Sequence, residues 1–375
     1  MNGSYEVSRY GPEHKSQVAE LQKELWSAST RLNTAYLEWK YEQNPYLDII
    51  PIYLVWHRGE LVAMRGFYGS LWEAGRPRQQ FKVYCADDLV IAHGHRNRGL
   101  FTLINRAAFE DLPAGGDRFA ITLSGGRTTV LGSLTMGWKS IGVMQQVRRE
   151  SRGAVLARQV RRVIGAVPGF RKYSRWWPAP WERDQFARLD ARAASASSAA
   201  GGVRLAREPN VEAMADFVAA LEMDGRIRHV RNAAYFAWRF RNPMHEYRFL
   251  YAGESRLTGY LVLRRGVSDR FDQISAYISD WEASDLGVKE ELLRTAIRWG
   301  GFSHMIAWAA TLSDAARGML DRAGFVDSGA AAHGMPCILV RPARGGPAEG
   351  EWTIAGRPLL DLASWDLRLL YSMVG

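Results

Sequence analysis

Apolar positions along this 375-residue chain switch period at regular points, and the switches predict its elements. Leu89 to Ala92 is a short apolar, β-prone run. Leu100, Leu103, Ile104, Ala107 and Ala108 then recur at i, i+3, i+4, i+7 and i+8, the spacing of one helix face. Between them lies His93-Gly-His95-Arg96-Asn97-Arg98-Gly99, which therefore sits at a helix N-terminus. There the first backbone N–H groups lack helical partners and the helix dipole favours negative charge. Gly99 lets an anion approach the backbone, and Arg96 and Arg98 add positive charge, so the turn reads as a diphosphate site. Further on, Phe119 to Leu123 predicts a strand, Ser124-Gly-Gly-Arg127 a loop and Thr128 to Met136 a helix closing at Gly137-Trp138. Ile141 to Val147 is extended again.

The pattern then repeats. Tyr36-Leu-Glu-Trp39-Lys40-Tyr41-Glu-Gln-Asn44-Pro45 recurs as Tyr235-Phe-Ala-Trp238-Arg239-Phe240-Arg-Asn242-Pro243, with the tryptophans 199 positions apart. Asn-Pro ends the helix in each copy, because proline forces the preceding residue out of the α region. An apolar strand pair follows each: Ile52 to Trp56 with Leu61 to Phe67, then Tyr247 to Ala252 with Leu257 to Leu263. The second copy continues with a strand over Ile274 to Trp281, a helix over Leu286 to Trp299, a strand over His304 to Ala310 and a Gly324-Phe325 corner. Its strand-to-helix turn is Glu282-Ala-Ser-Asp285-Leu-Gly287, with two carboxylates and no arginine, which repels a diphosphate.

Arg96-x-x-Gly99-x-Phe101 resembles the Arg/Gln-x-x-Gly-x-Gly/Ala acyl-CoA pyrophosphate loop of GNAT-superfamily acyltransferases, and Asp88-Leu-x-Ile91 resembles that family's fourth strand. The resemblance implies an α/β fold (an α+β mixed sheet) in two GNAT-like domains in tandem, the second degenerate at the pyrophosphate loop. It implies acetyl-CoA or another acyl-CoA as co-substrate. Arg96, Asn97, Arg98, Gly99, Leu100 and Phe101 would hold the pyrophosphate, and Leu89, Val90 and Ile91 the pantetheine arm. Phe101 departs from the small residue usual there, so its side chain must point away from the diphosphate. Asp88 takes the family's frequent acidic position and Asp87 is the adjacent carboxylate; strand alternation sends the two to opposite faces. Ser133 stands where the family often has a tyrosine acid, and serine is a poor acid at neutral pH. The early helix borders the acceptor cleft in such proteins, so Tyr36, Trp39 and Lys40 are either substrate contacts or core anchors.

Length and charge refine this picture. At 375 residues and 47% hydrophobic content the chain can form two cores, since single cores stop growing near ~250 to 300 residues. The divisions are 1–147 for the acyl-CoA-binding domain, 148–202 for a linker and 203–375 for the degenerate domain with its C-terminal extension. Residues 147–192 hold twelve Lys/Arg against four Asp/Glu, most of the net +10. Within them Val155, Leu156, Val160, Val163, Ile164 and Val167 alternate helically with Arg158, Arg161 and Arg162, and Trp176-Trp-Pro-Ala-Pro-Trp181 follows. Such a helix rests on an anionic membrane or wraps the back of the domains with its apolar face buried. No nucleic-acid motif accompanies the charge.

Cys85 and Cys337 are too few for a disulfide framework. His93 and His95 lack a third ligand, so no metal is expected. No signal peptide or long apolar run is evident, and a cytoplasmic location is expected. The reading that joins these observations is direct acyl transfer from acyl-CoA to the amine of a small polar acceptor, with an amino sugar as the leading class. An aminoacyl-tRNA or carrier-protein donor, or a non-catalytic binding module, are the alternatives.

Overall fold

The computed structural model describes residues 4–112, 119–165, 185–196, 202–267, 275–328, 337–343 and 352–373. The first half runs β1 (Tyr5–Arg9), α1 (Lys15–Leu21), α2 (Thr30–Leu37), β2 (Ile52–His57), β3 (Glu60–Ala74), β4 (Gln79–Ile91), α3 (Leu100–Asp111), β5 (Phe119–Gly125), α4 (Arg127–Thr135) and β6 (Lys139–Val143). Next come β7 (Gln146–Glu150), α5 (Arg152–Gly165) and α6 (Gln185–Ala196). The second half runs β8 (Val203–Ala206), α7 (Val211–Ala220), β9 (Arg228–His229), α8 (Ala233–Arg239), β10 (His245–Ala252), β11 (Gly259–Gly266), β12 (Ala276–Ala283), α9 (Leu286–Gly300), β13 (His304–Trp308), α10 (Asp314–Arg322), β14 (Val326–Asp327) and β15 (Cys337–Pro342).

Two mixed sheets follow the same plan. In the first the order is β1-β2-β3-β4-β5-β15-β6, with β9 added against β3; in the second it is β14-β7-β13-β12-β11-β10-β8. Among the described residues each has one parallel pair, β4 with β5 and β12 with β13, and antiparallel neighbours elsewhere. The halves exchange a strand. β15, late in the chain, lies between β5 and β6 of the first sheet, while β7 lies between β13 and β14 of the second. The extended run over Ile141 to Val147 is therefore two strands in two sheets, because the chain leaves the first sheet at Met144-Gln145. The division at 147 falls inside β7.

Apolar packing covers both faces of the first sheet. Val55, Val62 and Phe67 pack with Ile104 and Phe109 of α3 on one side. On the other, Met64, Tyr68 and Trp72 join Tyr36, Trp39, Trp238 and Tyr371 in a core that both halves share. The segment 362–373 threads this shared core: the Tyr68 hydroxyl donates to the Tyr371 carbonyl at 3.1 Å, and Tyr235 and Arg239 donate to the Leu370 carbonyl at 3.1 and 2.7 Å. The second sheet packs Leu261 and Leu263 against Leu292 and Leu293 of α9 and against Phe186 and Leu189 of α6. Part of the basic linker thus belongs to the second core. The Trp176–Trp181 stretch lies outside the described residues. Among the described residues, no helix is long and apolar enough to cross a membrane.

Candidate active site

β4 and β5 pair only at Tyr84 with Ala120 and Cys85 with Ile121, then diverge. Beyond Cys85, the edge of β4 that faces β5 carries Leu89, Val90 and Ile91 with no strand partner among the described residues, while Val90 and Ile91 stay in register with Met64 and Ala63 of β3 on the other edge. An extended amide-bearing arm can pair with such an edge as a strand would.

At the mouth of this opening stands the N-terminus of α3. Gly99 caps it at φ +76° in the left-handed region, preceded by Asn97 at φ +61°, and no side chain caps the helix. Glycine takes that backbone without strain, and the first-turn N–H groups of α3 lack helical partners. Arg96 and Arg98 are exposed; Arg96 donates to the Ile91 carbonyl at 3.1 Å and to Glu24 at 3.2 Å, and Arg98 to the Tyr5 hydroxyl at 3.3 Å. Such exposed pairings are weak and free either arginine for a ligand. Leu100 is buried beneath the helix. Phe101 turns away from the loop and lies over α4, where a Cβ on Gly132 would come within 2.8 Å of its ring. His93 and His95 form a single 3-10 turn beside the loop. Among the described residues no group of three metal-ligating side chains occurs.

The second sheet repeats the opening and closes the anion site. β12 and β13 pair from Ala276 with Met305 to Ile278 with Ala307 and then part. At the start of α9 the Asp285 carboxylate accepts from the Val288 N–H at 3.0 Å. That bond holds the Asp285 carboxyl below its ordinary value. A fixed anion thus occupies in the second half the place that Gly99 leaves open in the first.

Asp87 and Asp88 do not point to opposite faces as strand alternation requires. Two residues of β4, Asp88 and Leu89, stand opposite one of β3, between the pairs Gly66–Asp87 and Met64–Val90, so β4 bulges. Asp88 takes φ +48° there. The bulge turns both carboxylates onto Lys40, whose Nζ donates to Asp87 Oδ2 and Asp88 Oδ1, each at 2.8 Å. Asp88 also accepts from Trp26 Nε1 at 2.8 Å and Tyr41 Oη at 2.7 Å. Gly66 is required beneath this contact, since a Cβ there would overlap the Tyr41 hydroxyl. Burial pushes the Asp88 carboxyl up, partly offset by Lys40. Burial works against the Lys40 charge too, yet Asp87 and Asp88 hold the ammonium above its ordinary range.

The two acids differ in access. The Asp88 side chain is 0% exposed and the Asp87 side chain 9%. Asp87 Oδ1 accepts from Ser124 Oγ of β5 at 3.0 Å, so its carboxylate spans the throat of the opening. Arg65, opposite the bulge, is buried, and its Nε has no hydrogen-bond partner among the described residues; burial pushes this guanidinium down to about 10, against the pull of Asp87.

Tyr36, Trp39 and Lys40 are core residues rather than the lining of an open cleft, all three buried to 2% exposure or less. The Lys40 ammonium lies 5.0 Å from the Trp26 ring centre and 5.1 Å from that of Tyr36. Ser133 is buried on α4 and its hydroxyl donates to the Thr129 carbonyl at 2.8 Å, the usual bond of a serine to the preceding helical turn. Its position offers helix packing and no proton. Sequence reasoning did not find Trp26, Arg65 and Ser124. Ser124 had a signal, standing where a strand meets a glycine loop; Trp26 and Arg65 had none.

Solved structures share this architecture. A GCN5-related N-acetyltransferase from Anabaena variabilis ATCC 29413 superposes with a TM-score of 0.56 at 8% identity, over 90% of this chain and 72% of its own. The chain has the GCN5-related N-acetyltransferase fold. The N-acetyltransferase-like core occurs in it twice, once in each sheet. A probable N-acyltransferase from Enterococcus faecalis V583 gives 0.55 at 9% identity, covering 91% and 73%. Eis1 from Mycobacterium abscessus gives 0.51 at 12% identity, covering 90% and 74%. No family model and no curated protein sequence matches the chain.

Proposed function

We propose that this protein is an acyl-CoA-dependent N-acyltransferase with one donor site, in the opening between β4 and β5. The observation that carries the reading is the contrast between the two helix starts. α3 begins at an uncapped Gly99 that follows two exposed arginines, and α9 begins at a carboxylate that occupies its own N-terminus. The diphosphate would take the first-turn N–H groups of α3 with Arg96 and Arg98, and the pantetheine arm the free edge of β4 over Leu89, Val90 and Ile91.

The chemistry needs little beyond positioning. A thioester already carries an activated carbonyl, so a neutral amine held near attack distance adds to it, and a backbone N–H of β4 stabilises the tetrahedral oxyanion. The C–N bond forms, the C–S bond breaks, and CoA leaves as its thiolate. Asp87 is the carboxylate placed to take the amine proton, directly or through water, because one edge of it reaches the opening. Asp88 holds the bulge that aims it. Ser133 has no part in this account.

The acceptor reading is an amine on a small polar molecule. An amino sugar, the leading class from the sequence, drew support from Tyr36, Trp39 and Lys40, and these are buried. The test is thiol release from acetyl-CoA across a panel of amines that includes amino sugars, amino acids and polyamines. Amine-dependent release above the protein-free rate supports the reading; CoA binding with no release on any amine would leave a binding module.

A further inference from the structure

We infer that α5 is a docking helix for an anionic lipid surface. α5 is firmly rooted at its start: the Ser151 N–H donates to the Ser303 carbonyl at 3.0 Å, and the Ser151 hydroxyl accepts from the Ala154 N–H at 3.1 Å. Ala154 is the residue buried against the molecule, at 7% exposure. Leu156 and Val160, one helical turn apart, are 62% and 48% exposed. Ala154 and Leu156 are two positions apart, about 200° around the helix. Leu156 and Val160 are therefore turned away from the protein. At these two positions the helix does not have the inward apolar packing expected of a segment that wraps the domains.

A helix in water that presents its apolar side outward needs an occupant for it, and charge selects which. α5 contains four arginines and no acidic residue, inside a segment of twelve Lys/Arg and four Asp/Glu. Exposed aliphatics on a helix whose sequence carries arginines and no carboxylate suit a bilayer surface, with acyl chains below anionic headgroups. A second copy of this chain would bring the same positive charge against itself. The inference stands apart from the acyl-transfer reading, since no donor-site residue takes part.

The test is sedimentation of the full chain with vesicles of phosphatidylcholine containing a quarter phosphatidylglycerol, with pure phosphatidylcholine vesicles as the neutral arm. The expected result is binding to the anionic vesicles, weakened at least tenfold in L156D/V160D and by high salt, while the circular dichroism of the variant is unchanged. Sedimentation velocity without lipid accompanies it. Equal binding by the variant, no binding to anionic vesicles, or an oligomer that only the variant dissolves would each overturn the inference.

Discussion

Trp39 and Trp238 each donate the indole N–H to the other's main-chain carbonyl, both at 2.7 Å, with the rings stacked 5.0 Å apart at 10°. The 199-residue repeat thus closes on itself about a local two-fold, and the two halves meet at their most similar point. Both rings are buried, so W39A and W238A should each destabilise the protein by ~3–5 kcal/mol. Because each partner serves the other, the double variant should lose less than the sum by on the order of 1 kcal/mol or more. Denaturant unfolding of the four proteins measures this; strict additivity would deny the coupling.

The residues after these tryptophans diverge in use. Lys40 binds the aspartate pair, whereas Arg239 reaches the Leu370 and Ser372 carbonyls of the C-terminal segment. Lys40 and Asp88 form a fully buried pair, and removing one partner of such a pair costs ~3–5 kcal/mol. D88N should therefore appear first as a loss of stability. D87N should also lose stability, since Asp87 shares the Lys40 ammonium, but less than D88N because Asp87 is the more exposed of the two; the folded variant should keep its CoA affinity and lose at least tenfold in turnover, about 1.4 kcal/mol of barrier. Unfolding curves and steady-state rates on both variants separate the roles, and equal turnover of D87N and wild type contradicts the assignment.

S133A removes only a hydroxyl bonded to the preceding turn. Its turnover should stay within about twofold of wild type, a change too small for a catalytic acid, whose contribution is about a hundredfold or more. A larger loss at unchanged stability would restore Ser133 to the chemistry.

Acid sensitivity should come from the second half. Burial alone would raise the Glu282 carboxyl, but Arg368 and Arg231 override it and hold it at about 2, against 4.5 unperturbed. A carboxyl depressed by folding contributes stability that is complete above its unfolded value and lost as pH falls through the folded one. The protein should lose stability between pH 4.5 and about 2. In R368Q the deficit relative to wild type should be largest near neutral pH and shrink across that window; a deficit independent of pH would contradict it.

How much of this was legible in the sequence depends on what periodicity encodes. The α3 turn, the paired strands of each half and the acidic turn at Glu282 to Asp285 all follow from local patterns, and the structure has them. The repeat announced Trp39 and Trp238, though not that they would meet. The strand exchange was not legible: the extended run over Ile141 to Val147 carries no address for the sheet it joins, and Cys337–Pro342 was not read as a strand at all. Asp87 and Asp88 were misplaced for a related reason. One bulge residue at φ +48° breaks the two-residue period, and nothing in Asp-Asp-Leu announces it. Lys40 followed, since a lysine among aromatics reads as a surface contact until its two acids are found beside it.

The central claim is one donor site, built on α3 and absent from α9. Calorimetric titration of acetyl-CoA into wild type, R96E/R98E and D285K tests it most directly. The account predicts one site per chain in wild type, loss of binding in R96E/R98E with the fold intact, and an unchanged single site in D285K. Unaltered affinity in R96E/R98E, or two sites in wild type, would contradict it.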